Sequence, residues 1–320
     1  MRYLSYLILI ITISFSVSSF AGNTSFTYKD TDVVNNSQLT AYYDLRERNS
    51  YIQITHNGIF TNENVTIHVQ IFQHDRNCDE LNFFDTLTLN DTVIYDLDNL
   101  VRNDGSEVPA SIDSNSYGYV VISTSDINGN LGAGDIIGNF RIIDDSGYEY
   151  RTNMVGPFDS GGVGSVSANS DTNIGHAINF NTINDAKYAD IIGYAYQRED
   201  GGTNFDTVTN IDEGYSFDIF VYDMDEEPLS CDRRNFACGA TMVYGVNEDY
   251  PASKGDPLLC PGGGLADPQG GFVNFVNPNF VGTGVPELPS FLRFIGFIGI
   301  NNGNGTGSMD GWYGFQDVAF

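Results

Sequence analysis

The chain has 320 residues, with 42 acidic side chains against 14 Lys plus Arg and a formal net charge of −28. So large an acidic excess repels phosphate backbones and anionic lipid headgroups, which excludes nucleic-acid binding and lipid-surface docking as primary roles. It leaves divalent cations and cationic partners open, and its default effect is to keep an exported protein soluble.

In chain order the first element is a leader. Met1-Arg2 gives a small positive region, residues 4–17 are uncharged and mostly apolar, and Ser19 and Ala21 put small residues just before a cleavage point after Ala21. The apolar run is shorter than the about 20 residues that span a bilayer. Residues 1–21 are therefore expected to be a secretory signal peptide. The remainder is placed outside the cytoplasm, whether extracellular, on the cell surface or periplasmic. After cleavage no transmembrane segment is expected, since the most apolar later stretch, 291–300, is only ten residues long and contains Arg293.

Ten runs rich in β-branched and aromatic residues follow: 50–55, 64–72, 92–97, 117–123, 136–143, 190–197, 215–222, 241–246, 271–276 and 293–300. Asn, Asp and Gly separate them, and sustained helical periodicity is nearly absent, so an all-β fold of two β-sandwich modules with long Asn/Gly-rich loops is predicted. Run 64–72 shows the pattern. Val65, Ile67, Val69 and Ile71 fall on one face at period two and should enter a core. The opposite face is mixed, and His68 and His74 are expected there as surface histidines, too far apart along a strand to share an ion. The Gly- and Ser-rich stretch 156–173 reads as a linker or long loop. It separates a first module, 22–155, from a second β-rich module, 174–320.

In the first module, NVTIHVQIF is followed by a polar loop, then TLTLNDTVIYDL with a short turn at Asn90-Asp91. This succession resembles the Ig-like β-sandwich modules of bacterial secreted and cell-surface proteins, over residues 40–150. The resemblance implies a recognition or spacer role and no catalytic residues. The Cys…Trp…Cys spacing of antibody-type domains is missing, the lone Trp being Trp312.

Four cysteines, Cys78, Cys231, Cys238 and Cys260, predict two disulfides in an exported chain. Cys231–Cys238 with Cys78–Cys260, and Cys238–Cys260 with Cys78–Cys231, are equal rivals. Zinc is disfavoured by the six-residue gap in Cys231-DRRNFA-Cys238 and by the lack of a nearby His.

Two stretches carry oxygen donors of the kind that hold Ca²⁺. In DINGNLGAGD, Asp126, Asn128 and Asn130 alternate like the opening of a calcium loop, with Asp135 as a late carboxylate. Leu131 and Ile137 then stand where an EF-hand needs Gly and Glu, and Asn128-Gly129 is a strong hairpin-turn signal, so a turn is the preferred reading. The second stretch is YDMDEEP, with Asp223 and Asp225, which otherwise reads as a solvated acidic loop. No cofactor is certain, and calcium is the one candidate.

Catalytic signals are thin. The Asp159-Ser160-Gly161-Gly162 stretch resembles the surroundings of a chymotrypsin-like nucleophile, but Phe158 precedes it and His56 is a poor base. Trp312 and Tyr313, beside Asp310 and an Asn/Gly tract, form a candidate sugar-stacking pair, against the plainer reading of a core strand. The expected function is a secreted or cell-surface, non-catalytic binding or structural protein acting through loops, with an extracellular protein or glycan as partner. An extracellular polymer hydrolase and an outer-membrane β-barrel are the alternatives.

Overall fold

A computed structural model describes residues 37–59, 61–74, 79–109, 111–125, 132, 135–144 and 149–154, together with the backbone of ten strands between 173 and 315 and the side chains of 192 and 194. The leader and nearly all of the 156–173 stretch lie outside the described residues.

The first half forms β1 (Gln38–Asp44), β2 (Arg48–His56), β3 (Val65–Gln73), β4 (Asp79–Leu87), β5 (Thr92–Asp96), β6 (Val101–Arg102), β7 (Tyr117–Ser125), β8 (Ile136–Asp144) and β9 (Glu149–Asn153). The second half forms β10 (Asn173–Ile178), β11 (Tyr188–Arg198), β12 (Val208–Asn210), β13 (Ser216–Tyr222), β14 (Pro228–Asn235), β15 (Ala240–Gly245), β16 (Asp256–Pro257), β17 (Gly271–Val276), β18 (Leu292–Asn301) and β19 (Gly307–Phe315). The all-β expectation holds. No described helix is long and apolar enough to cross a membrane.

In the first half the strands divide between two antiparallel sheets, ordered β1-β7-β3-β4 and β6-β5-β2-β8-β9. The second half adds β10-β17-β13-β14 and β16-β15-β11-β18-β19, with β12 on β11. Among the described strands all pairings are antiparallel except the two-residue match of β15 with β16. The turn expected at Asn90-Asp91 is present: the Asp91 amide donates to the Thr88 carbonyl at 2.9 Å, with Asn90 at φ 62°.

The two sheets of the first half share one buried cluster. Leu39, Ala41, Ile67, Val69, Ile71, Val120 and Ile122 come from one, and Ile52, Ile54, Val93, Phe140 and Ile142 from the other. Phe83 of β4 meets Tyr95 of β5 edge-on across the gap, with ring centroids 5.6 Å apart. Strand β2 alternates strictly between buried and half-buried positions, as expected of a strand with one face toward a core and one toward water.

The β1-β7-β3-β4 sheet departs from that pattern. All seven residues of β1 and eight of the nine in β3 are buried. Val65, Ile67, Val69 and Ile71 lie inside as predicted, but so do His68, Gln70 and Phe72 on the opposite face. The expectation of a surface His68 is therefore corrected: it is only 4% exposed and stacks on Phe84, centroids 4.4 Å apart. Part of the cover over this second face comes from β11, whose Tyr194 packs against Tyr119 at 4.7 Å and Tyr42 at 6.0 Å.

Gly118 marks the tightest backbone approach in this sheet. A Cβ there would fall on the carbonyl oxygen of Phe72, a backbone atom held by strand pairing. Gly118→Ala should therefore lower stability by about 1–3 kcal/mol, the usual range for overpacking, read as a reduced urea midpoint with an unchanged slope.

Candidate interaction surface

The strongest concentration of charge among the described residues lies where the chain leaves one sheet for the other. Asp44 ends β1 and Arg48 begins β2, with Leu45-Arg46-Glu47 between them, Glu47 adopting φ 59°. The Asp44 carboxylate is fully buried. Its Oδ1 accepts from the Arg46 amide at 3.0 Å and from Arg46 Nε at 2.9 Å. Its Oδ2 accepts from Tyr42 Oη, Arg46 Nη2 and Arg48 Nη1, each at 3.0 Å. Ser50 Oγ closes the turn, accepting from the Asp44 amide and donating to the Asp44 carbonyl, both at 2.9 Å.

The Arg46 guanidinium also lies 3.5 Å over the Tyr117 ring. Burial works against its charge, but Tyr42 and the bond and charge of Asp44 outweigh that, leaving it above its ordinary range. A carboxylate with both oxygens so engaged is a poor base and a poor metal ligand. The arrangement is a brace that ties β1 to β2.

His56 is likewise spent on structure. Its Nε2 lies 2.9 Å from the Glu63 carbonyl, and its Nδ1 accepts from the Gly58 amide at 3.1 Å. The tautomer with its proton on Nε2 satisfies both contacts, so the ring pins the loop between β2 and β3. Asp85 holds the two sheets together: its Oδ2 accepts from Tyr95 Oη at 2.7 Å and pairs with Arg102 at 3.3 Å.

Two of the three large apolar side chains exposed among the described residues lie at the end of this unit that carries the β2–β3 and β4–β5 loops. Ile59 is 63% exposed and Leu89 40%. Leu89 Cδ1 sits over Gly58, where a Cβ would collide with it. Gly58 has φ 66°, so a glycine both turns the chain and admits the leucine. The Asn57 amide donates to the Asp135 carbonyl at 3.0 Å, which brings the start of β8 to the same end. Two connecting loops thus present an apolar tip.

Of the candidate cation ligands, Asp135 is fully buried directly before β8. Asp126, Asn128 and Asn130, and likewise Asp223 and Asp225, lie outside the described residues. Among the cysteines, Cys231 falls on β14, while Cys78, Cys238 and Cys260 lie outside the described residues. Trp312 and Tyr313 fall on β19, in register with Gly296 and Ile295 of β18. Sequence reasoning missed Asp44, Arg46 and Arg48; the available signal was Arg-x-Arg in a chain so poor in cations.

Two outcomes follow from this geometry. Asp44→Asn leaves two arginines facing a neutral amide and should cost about 3–5 kcal/mol, measured by urea unfolding at neutral pH. The second concerns buried phenols. Burial, then the bond and charge of Asp85, raise Tyr95 above its ordinary range, and burial, then Tyr42, raise Tyr194 well above it. In the unfolded chain tyrosines ionise near pH ~10. Above that pH the folded state holds more protons than the unfolded one, so stability falls as pH rises. Tyr194 Oη is buried with no hydrogen-bond partner among the described residues. Tyr194→Phe should thus leave stability at pH 7 unchanged or higher and flatten the alkaline decline, as read by melting temperature from pH 7 to 11. Compared with known family models, curated proteins and solved structures, the chain matches none.

Proposed function

We propose that this chain is an exported, non-catalytic binding or structural protein, built of β-sandwich modules of which the first is Ig-like, that engages an extracellular protein or glycan through loops. The observation that carries the reading is the contrast between the interior and the loop end. Asp44, Asp85 and His56, groups that a catalytic site would need free, are bound up in holding strands together. The exposed apolar side chains Ile59 and Leu89 sit instead on connecting loops, where rigid β scaffolds present recognition surfaces.

The two alternatives fit less well. A polymer hydrolase needs a carboxylate pair with one member kept protonated, and the buried Asp44 is instead clamped by two arginines. An outer-membrane barrel needs one closed sheet with an outward apolar belt, whereas the described strands are divided among four open sheets.

The test is co-sedimentation of the full chain with insoluble cellulose, chitin and peptidoglycan, and with an extracellular-matrix protein film, combined with an assay for released reducing ends. Retention without release is expected. Ile59→Ser combined with Leu89→Ser should abolish retention while moving stability by no more than about 0.5 kcal/mol per site, as exposed substitutions do. Release of reducing ends by the wild-type chain would replace this reading with the hydrolase.

A further inference from the structure

We propose that the free margin of β4 is a docking rail for an extended cationic segment of a partner protein, which adds to the β1-β7-β3-β4 sheet as a fifth strand. The site lies on a different surface from the loop tip and is tested separately from it.

The sheet has two ends, and they differ. β1 is wholly buried, so its margin is covered. Among the strands of the first half, β4 is the most exposed, with Asp79, Asn82, Phe84 and Thr86 all open to solvent. Its nine residues pair with β3 without a register shift. In an antiparallel pair, every second residue directs its amide and carbonyl away from the neighbour. On an end strand those groups form a template for another chain. Proteins usually blunt such margins with charged side chains, Pro or a bulge. β4, with the sequence DELNFFDTL, has no Pro, its pairing with β3 runs unbroken, and its charges are all acidic, so they repel strands like itself and not cationic ones.

The side chains say which kind of chain fits. Phe84 is 59% exposed and lies flat on His68, so one ring face is supported and the other is free. A cation stacks well on such a face. Glu80, on the same face of β4, is held in place by Gln70 Nε2 at 2.8 Å and Asn82 Nδ2 at 3.0 Å, both neutral donors. Neither Glu80 nor Asp79 has a cationic partner among the described residues. A second copy of this chain would bring the same acids opposite each other, on a molecule of net charge −28. A strand with Lys or Arg at alternate positions completes the backbone ladder, covers Phe84 and neutralises Glu80 at once.

The test uses the full chain and three labelled decapeptides of alternating sequence: Lys-Val, Lys-Pro and Glu-Val. Fluorescence anisotropy gives affinity, and amide hydrogen exchange gives location. Saturable Lys-Val binding is expected, with slowed exchange confined to 79–87. The Lys-Pro peptide carries equal charge but lacks alternate amides, and should bind at least tenfold more weakly. Phe84→Ala should weaken Lys-Val binding about two- to fivefold, and so should Glu80→Gln, which removes the charge but keeps an oxygen to accept from Gln70 and Asn82 and so preserves the melting temperature. Equal binding of Lys-Pro and Lys-Val would reduce the effect to bulk charge and overturn the proposal. So would absence of Lys-Val binding, or protection of 79–87 that grows with protein concentration alone alongside a dimer in sedimentation.

Discussion

The first half of the molecule depends on the Asp44 brace. A chain passing from one sheet to another must turn sharply while leaving no backbone or charged group unsatisfied in the interior. Here one carboxylate receives five donors from Tyr42, Arg46 and Arg48, and Ser50 Oγ binds both backbone groups of Asp44 itself. Because Asp44 closes β1 and Arg48 opens β2, this bonding fixes the register of both strands at their junction. The pairings of β7 on β1 and of β8 and β5 on β2 are built against strands that meet at that turn.

The same turn explains why the outer face of the β1-β7-β3-β4 sheet is buried. Tyr42, Arg46 and Tyr117 carry the brace out onto that face, where Tyr119 and Phe72 stack at 4.6 Å and Tyr194 covers Tyr119. An antiparallel sheet ordinarily wets one side. Here a row of aromatic rings gives the second side enough apolar area to draw a strand from the other half of the chain, and Ile192 and Tyr194 join the same buried cluster. Polar neighbours are accommodated by pairing with each other, as Gln38 Nε2 does with Ser123 Oγ at 2.9 Å. For this sheet, alternation of apolar and polar residues was therefore a poor guide to exposure.

How far the fold could be read from the sequence follows the sheets themselves. The ten runs recognised as strands became β2, β3, β5, β7, β8, β11, β13, β15, β17 and β18, each with a strand on both sides. Those not recognised, among them β1, β4, β9, β10 and β14, lie at the margins. A central strand is buried broadly and reads as a dense β-branched and aromatic run, as in 117–123. A marginal strand, bonded on one side only, needs fewer apolar side chains, and DELNFFDTL and PLSCDRRN mix polar and charged residues into theirs. Periodicity thus found the sheets and missed their limits. The surface features, Ile59, Leu89 and Phe84, were illegible for the related reason that a single exposed apolar residue has no pattern; only the structure separates it from the core residues it resembles.

The charge balance closes the account. Of the described arginines, Arg46 and Arg48 lie on Asp44, Arg102 on Asp85 and Arg141 on Glu149. The first three of these pairings are at least three-quarters buried on each partner, where a charge without a counter-charge is costly. A chain with 14 Lys plus Arg against 42 acids, and with Arg46, Arg48 and Arg102 committed to internal pairs, presents a predominantly acidic surface. Mutual repulsion among such surfaces does for the whole molecule what Lys or Pro does for a single exposed strand: it keeps like copies apart at long range. That protection discriminates by sign. An acidic exterior with an open sheet margin rejects its own kind and admits an extended chain of opposite charge, so composition and topology together define the class of molecule this surface can accept.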